Sequence, residues 1–137
     1  MKGWLSLAAA ALLTGCATSP IPAEQADQVP DSRLFGLQTV PASPYATVQV
    51  TRDSGINFSM CNVSLHVDGT KVAEFEPEET ASFYVAPGES VLGITTGGGI
   101  CASLVQELGA DLESGETKRY RISMDASGSL DLSRTAF

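Results

Sequence analysis

Short alternating runs of apolar and polar residues fill the chain from Tyr45 onward, broken about every ten residues by turn-forming residues. Successive side chains on a strand point to opposite faces, so the parity of each run says which residues can share a core. Ala46 to Arg52 sets Val48 and Val50 on one face. Cys61 to Val67 groups Cys61, Val63, Leu65 and Val67, and turns Ser64 and His66 the other way. Asp68-Gly69 is a strong hairpin-turn pair, and Lys71 to Phe75 returns from it with Val72 as the clearest apolar residue. Glu76-Pro77-Glu78-Glu79 reads as a polar turn. Ala81 to Val85 alternates again, Pro87-Gly88 turns the chain, and Val91 to Thr95 follows. Leu104 to Leu112 fits either a strand or a short helix. Lys118 to Met124 places Tyr120, Ile122 and Met124 together, Ala126 to Ser129 turns, and Leu130 to Arg134 closes the pattern. The prediction is all-β: a small antiparallel β-sandwich of seven to eight strands over residues 45–137.

The first 44 residues have another texture. Met1-Lys2-Gly3 makes a positive start, and Trp4 to Leu13 is a run of ten mostly apolar residues. A run of about 7–15 such residues fits the apolar region of a secretory signal, whereas a spanning helix needs about 20. Ala17 to Pro44 is rich in Pro, Ala, Ser and Gln and holds five of the seven prolines. Proline fixes φ and removes a donor, so no regular helix or central strand is expected there. The stretch reads as a semi-extended tether, reaching on the order of 30 Å if flexible and about 85 Å if extended. Leu34, Phe35 and Leu37 interrupt its polar run. They either dock on the domain as an extra strand, the simpler reading, or wait for a partner.

Between these segments lies Leu13-Thr14-Gly15-Cys16, which resembles the bacterial lipobox. The resemblance implies cleavage between Gly15 and Cys16, a diacylglycerol on the Cys16 thiol and an acyl chain on its new amine. It implies attachment to a membrane through that anchor, and no other cofactor. The alternative is an ordinary signal peptide with a chance cysteine. Ala17 follows, where an Asp in many such lipoproteins signals retention in the inner membrane; the resemblance therefore implies the outer membrane. The chain divides into a signal peptide (1–15), a lipidated N-terminus with a Pro-rich tether (16–44) and a sandwich domain (45–137).

Composition then narrows the functions. The 137 residues carry 16 Asp+Glu, 8 Lys+Arg and one His, a formal net charge of −8. Removing residues 1–15 takes away Lys2 and no acid, which leaves −9. That balance argues against gripping a phosphate backbone, so no nucleic-acid partner is expected. The length excludes a barrel enzyme of roughly 250 residues. With Cys16 assigned to lipid, Cys61 and Cys101 remain of three cysteines, and an oxidising envelope compartment favours a disulfide between them.

Candidate chemistry is sparse. A zinc site needs four ligands, and His66 is the only histidine that can join Cys61 and Cys101. Gly97-Gly98-Gly99 invites a phosphate-loop reading, but no Lys-Ser/Thr pair follows in the required frame, so a flexible loop beside Cys101 is expected. Asp68, Glu74, Glu76, Glu78 and Glu79 lack the spacing of a calcium loop and read as a solvated hairpin edge. Lys118, Arg119 and Arg121 form the only basic group. Arg119 and Arg121 share one strand face, where they pair with acids of the chain or meet an anionic partner.

Two runs, Val67 to Phe75 and Phe83 to Gly93, carry a second resemblance, to the PEGA-type and related β-sandwich domains of bacterial envelope lipoproteins. The likeness lies in an aliphatic-Asp-Gly turn at Val67-Asp68-Gly69 and a Pro-Gly turn at Pro87-Gly88-Glu89; the PEGA tetrad itself is absent. It implies a module that is not an enzyme, with no catalytic residues to carry over. The expectation is a membrane-anchored envelope lipoprotein acting as a structural or protein-interaction module on another envelope protein. The alternative is a ligand-binding or inhibitor module for a cell-wall fragment or an envelope enzyme, with residues 97–104 and Arg119/Arg121 as its sites.

Overall fold

The structure is a computed structural model that describes residues 17–55, 59–97 and 99–137. Cys16, with the lipobox, and Gly98 lie outside these. The described residues form β1 (Asp27–Gln28), β2 (Ala46–Arg52), β3 (Val63–Val67), β4 (Thr70–Phe75), β5 (Glu79–Val85), β6 (Gly88–Thr96), β7 (Val105–Leu112), β8 (Thr117–Met124) and β9 (Leu130–Arg134). The ambiguous run after Leu104 is therefore a strand. Single 3-10 turns occur at Ala23–Gln25, Asp31–Arg33 and Gly99–Cys101. No helix of the described residues is long and apolar enough to cross a membrane.

Two sheets pack as a sandwich, one ordered β1-β5-β2-β8-β9 and the other β4-β3-β6-β7. Parity decided the core as expected. Val48 and Val50, Phe83, and Tyr120 and Ile122 from the first sheet meet Val63 and Leu65, Phe75, and Leu92 and Ile94 from the second. The Phe75 and Phe83 rings lie 6.5 Å apart across the interface. Two pairings depart from an antiparallel sandwich: β8 runs parallel to β2, pairing Val50 with Tyr120, and β1 runs parallel to β5. β7 belongs to the other sheet, so the chain crosses over before β8 and enters beside β2 in the same direction. Parity carries no information about direction.

The turn chemistry behaves locally as read. Asp68 and Gly69 both take positive φ, 48° and 81°, which a two-residue turn between twisted strands requires. Asp68 also receives the Val91 N–H on Oδ1 at 2.8 Å, tying the hairpin to β6. Pro87-Gly88, by contrast, carries the chain from the first sheet into the second.

Residues 17–44 lie along the sandwich instead of standing off it. The Asp27 and Val29 amides donate to Glu78 and Thr80, at 2.9 and 3.0 Å, and Val29 is buried. Leu34 bridges to Ala73 and packs against the core, Phe35 donates to the Val72 carbonyl at 2.8 Å, and Leu37 accepts from Tyr84 at 3.0 Å. Proline-rich sequence forbids regular structure but not docking, because an extended strap can satisfy its remaining amides on strand edges. The strap covers the outer edges of β5 and β4, while Leu34 docks as expected. On the opposite side Gln106 of β7 spans to β9, accepting the Leu132 N–H and donating back to its carbonyl at 3.4 Å. These contacts occupy backbone groups that would otherwise template pairing with another chain.

The strap is latched by charge. Arg33 donates to both carboxylate oxygens of Glu79, at 2.7 and 2.5 Å, and to the Glu74 carbonyl at 3.1 Å. Glu79 is buried, which corrects its assignment to a solvated acidic edge; it has the core-facing parity of Ala81, Phe83 and Val85. Arg33→Met is expected to lose about 2–3 kcal/mol, since it leaves that carboxylate without its main partner. The Val29 and Phe35 amides should then exchange hydrogen faster than those of β2. Equal protection in the variant and the wild type would refute the latch.

Candidate functional site

Strand direction gathers the connections after β2, β4, β6 and β8 at one end of the sandwich, and Thr18 joins them there by donating to the Met124 carbonyl at 3.0 Å. Cys61 and Cys101 form a disulfide at this end, with a Cα–Cα distance of 5.6 Å. It ties the connection leading into β3 to the one leading into β7. The second is shaped further by Thr96, whose hydroxyl donates to the Ala102 carbonyl at 2.6 Å and accepts the Leu104 amide at 2.9 Å.

Beneath the disulfide lies a buried polar layer. Arg52, 6% exposed, donates through Nη1 to the carbonyls of Cys61 and Phe75 at 2.7 and 2.8 Å. This guanidinium on the first sheet fastens two backbone segments of the second. Burial lowers its pKa to about 10, opposed by the negative charges of Glu79 and Glu76, so it stays cationic at neutral pH. Asp53, 2% exposed, is forked by Arg121, with Nε to Oδ1 at 3.0 Å and Nη2 on Oδ2. The Thr18 hydroxyl also donates to Asp53, at 2.8 Å. A cavity of about 10 Å³ touches Thr18, Arg52 and Asp53, room for roughly one water. No buried side-chain N or O among the described residues lacks a partner.

The other candidate residues are scattered. Arg121 is engaged with Asp53, while the exposed Arg119 donates to Gln49 Oε1 at 3.1 Å. The pair thus shares a strand face but not an environment. Gly97 is exposed and Gly99 opens the turn that carries Cys101. His66 lies on the outer face of β3, its Nε2 3.1 Å from the Thr95 hydroxyl. Among the described residues no three His, Cys, Asp or Glu side chains gather where they could hold a metal ion. The geometry therefore assembles a buried polar layer in which Arg52 holds backbone carbonyls and Arg121 holds Asp53.

Glu74 and Lys71 make the exposed counterpart of these pairs. The Lys71 ammonium holds the Glu74 carboxyl below its ordinary pKa. A carboxylate with a depressed folded pKa contributes stability that is present above the unfolded value, near 4.3, and is lost as pH falls through the folded one. Lys71→Met should therefore lower the melting temperature at pH 7, and the gap should close as pH falls below the unfolded carboxyl value of about 4.3. A gap of constant size down to pH 2 would contradict the assignment.

Arg33, Arg52, Asp53 and Gln106 were not singled out from sequence, and Glu79 was read only as part of a solvated acidic edge. A signal existed for two of them: Arg52 shares the core parity of Val48 and Val50, and Glu79 that of Phe83. A charge at a core-parity position announces a buried pair, although not its partner.

Searches of family models, of curated proteins and of solved structures find no match to the chain.

Proposed function

We propose that this protein is an outer-membrane-anchored envelope lipoprotein, held by acyl chains on Cys16, whose sandwich serves as a structural or protein-interaction module and not as a catalyst. The observation that carries the reading is Leu13-Thr14-Gly15-Cys16 behind a short apolar run with Lys2 in front. Two or more acyl chains make such attachment stable where one chain binds only marginally. The Cys61–Cys101 disulfide supports an oxidising compartment. The converging charged groups support a role without catalysis, because they are spent on one another and on backbone carbonyls. The PEGA-type likeness belongs to the same reading and rests on the Asp68-Gly69 and Pro87-Gly88 turns.

The test is the mass of the mature N-terminus in protein taken from outer-membrane fractions, followed by crosslinking in intact cells. A cysteine at the first position bearing diacylglycerol and an amide-linked acyl chain is expected, with Cys16→Ala remaining as uncleaved precursor. An unacylated terminus elsewhere would overturn the anchor. Crosslinking that returns only monomer would overturn the interaction role.

A second reading, a ligand-binding module, has one observation in its favour. A groove of about 440 Å³ opens at the end opposite the disulfide, between Leu37 of the strap and Val72, Val85 and Pro87, with Asp68 and Glu89 on its rim. That size lies within the usual range for small-molecule sites. Its place differs from residues 97–104 and Arg119/Arg121, so Leu37→Arg, at a half-exposed position on the groove wall, is the informative variant: it should abolish binding of cell-wall fragments if the groove is the site, and leave it unchanged if it is not.

A further inference from the structure

We infer that the disulfide-linked end of the sandwich rests on the bilayer, with Met60 and Ile100 entering its apolar boundary as a second point of attachment beside the lipid. The inference rests on the anchor reading above and specifies the geometry that reading leaves open.

The first argument is where the chain leaves the domain. Ser19 and Ser54 exchange backbone hydrogen bonds at 2.9 and 3.0 Å, and Thr18 is held by Met124 and Asp53. Gly55 approaches so closely that a Cβ there would lie 3.2 Å from the Thr18 methyl and 3.3 Å from its Cα. Thr18 is thus clamped at the disulfide end, and Cys16 is two residues away, within about 8 Å of chain. Acyl chains on Cys16 would hold this end against the membrane, with no tether long enough to turn it away.

The second argument is what that end presents. Met60 is 78% exposed and Ile100 88%, each directly preceding a cysteine of the disulfide. The bridge fixes the two side chains' backbones beside each other. Two large apolar residues so exposed on connections joined by a disulfide make a small apolar contact surface. Charge selects what it meets. From Ser54 to Val67, and again from Ser90 to Gln106, the sequence has no Asp, Glu, Lys or Arg. Asp27, Glu76, Glu78 and Asp125 at the same end lie on the strap and on the connections into and within the first sheet, away from the two connections that the disulfide joins. An uncharged half carrying Met and Ile suits a neutral hydrocarbon boundary, and gives no cationic grip on anionic headgroups.

The mature chain has no tryptophan, because the only one is Trp4. Met60→Trp, Ile100→Trp and, at the opposite end, Ser114→Trp therefore each give a single-tryptophan reporter on an exposed position. The lipidated proteins are reconstituted in phosphatidylcholine vesicles with and without bromine on the acyl chains, and the N-terminal mass is measured on the same samples. Expected are acylated Cys16, blue-shifted emission, at least twofold quenching by brominated lipid at positions 60 and 100, and none at 114. Acylated Cys16 with positions 60 and 100 unquenched overturns the inference and leaves the anchor standing. Equal quenching at all three positions overturns it likewise. An unacylated Cys16 overturns both. Met60→Asp with Ile100→Asp is the companion variant: its lipidated form should extract from the vesicles about tenfold more readily than wild type, and equal extraction counts against the second attachment.

Discussion

Cys61→Ser is expected to lower the melting temperature by on the order of 15 °C in scanning calorimetry. The disulfide closes a loop with a sequence separation of 40, which in the chain-entropy model is worth about 4 kcal/mol. Domains of this kind have only about 5–15 kcal/mol in total. Cys61 is also buried at the root of β3, so its loss loosens the attachment of two connections as well as enlarging the unfolded ensemble. Reducing agent should reproduce the shift in the wild type and leave the double Cys61→Ser, Cys101→Ser variant unmoved. Two free thiols on Cys61 and Cys101 in unreduced, denatured protein would refute the bridge.

Arg52→Ala is expected to cost about 3–5 kcal/mol, measured as a fall in denaturation midpoint without a change in slope. Two effects add. The carbonyls of Cys61 and Phe75 lose a charged donor in a buried place, and the aliphatic stem leaves a void between the sheets. Arg52→Met separates them, since it restores much of the volume and none of the donors. If Arg52→Met is as stable as the wild type, the guanidinium does not fasten the sheets. The effect should be partly shared with Cys61→Ser, because both hold the segment that precedes β3; their double variant should cost less than the sum.

These two residues mark the boundary of what alternation could foretell. The strands, their inward residues and the Asp68-Gly69 turn were legible because each depends on neighbours a few positions away. Val48, Leu65, Phe83 and Ile122 follow their parity into the core. The disulfide was legible by a different route, from cysteine count and expected compartment. Arg52 and Glu79 stood at core parity, but nothing nearby in sequence names Cys61, Phe75 or Arg33 as their partners. Residues 17–44 looked like a tether because proline excludes regular elements; that they dock depends on the free edges of β4 and β5.

By itself the sequence determined an all-β sandwich, its core faces, its turns and the two cysteines available to each other. Only the tertiary structure decided that β8 lies parallel to β2, that the proline-rich strap closes one side and Gln106 the other, and that Thr18, Met60 and Ile100 share one end. The physical reason is common to all of these. Periodicity records which face of a strand meets an apolar environment, and that is a local property. Which edges meet, in which direction, and which buried charges pair are settled by contacts between residues 26 to 106 positions apart, as between Gln106 and Leu132 or Thr18 and Met124. Those contacts come into being only when the sheets close.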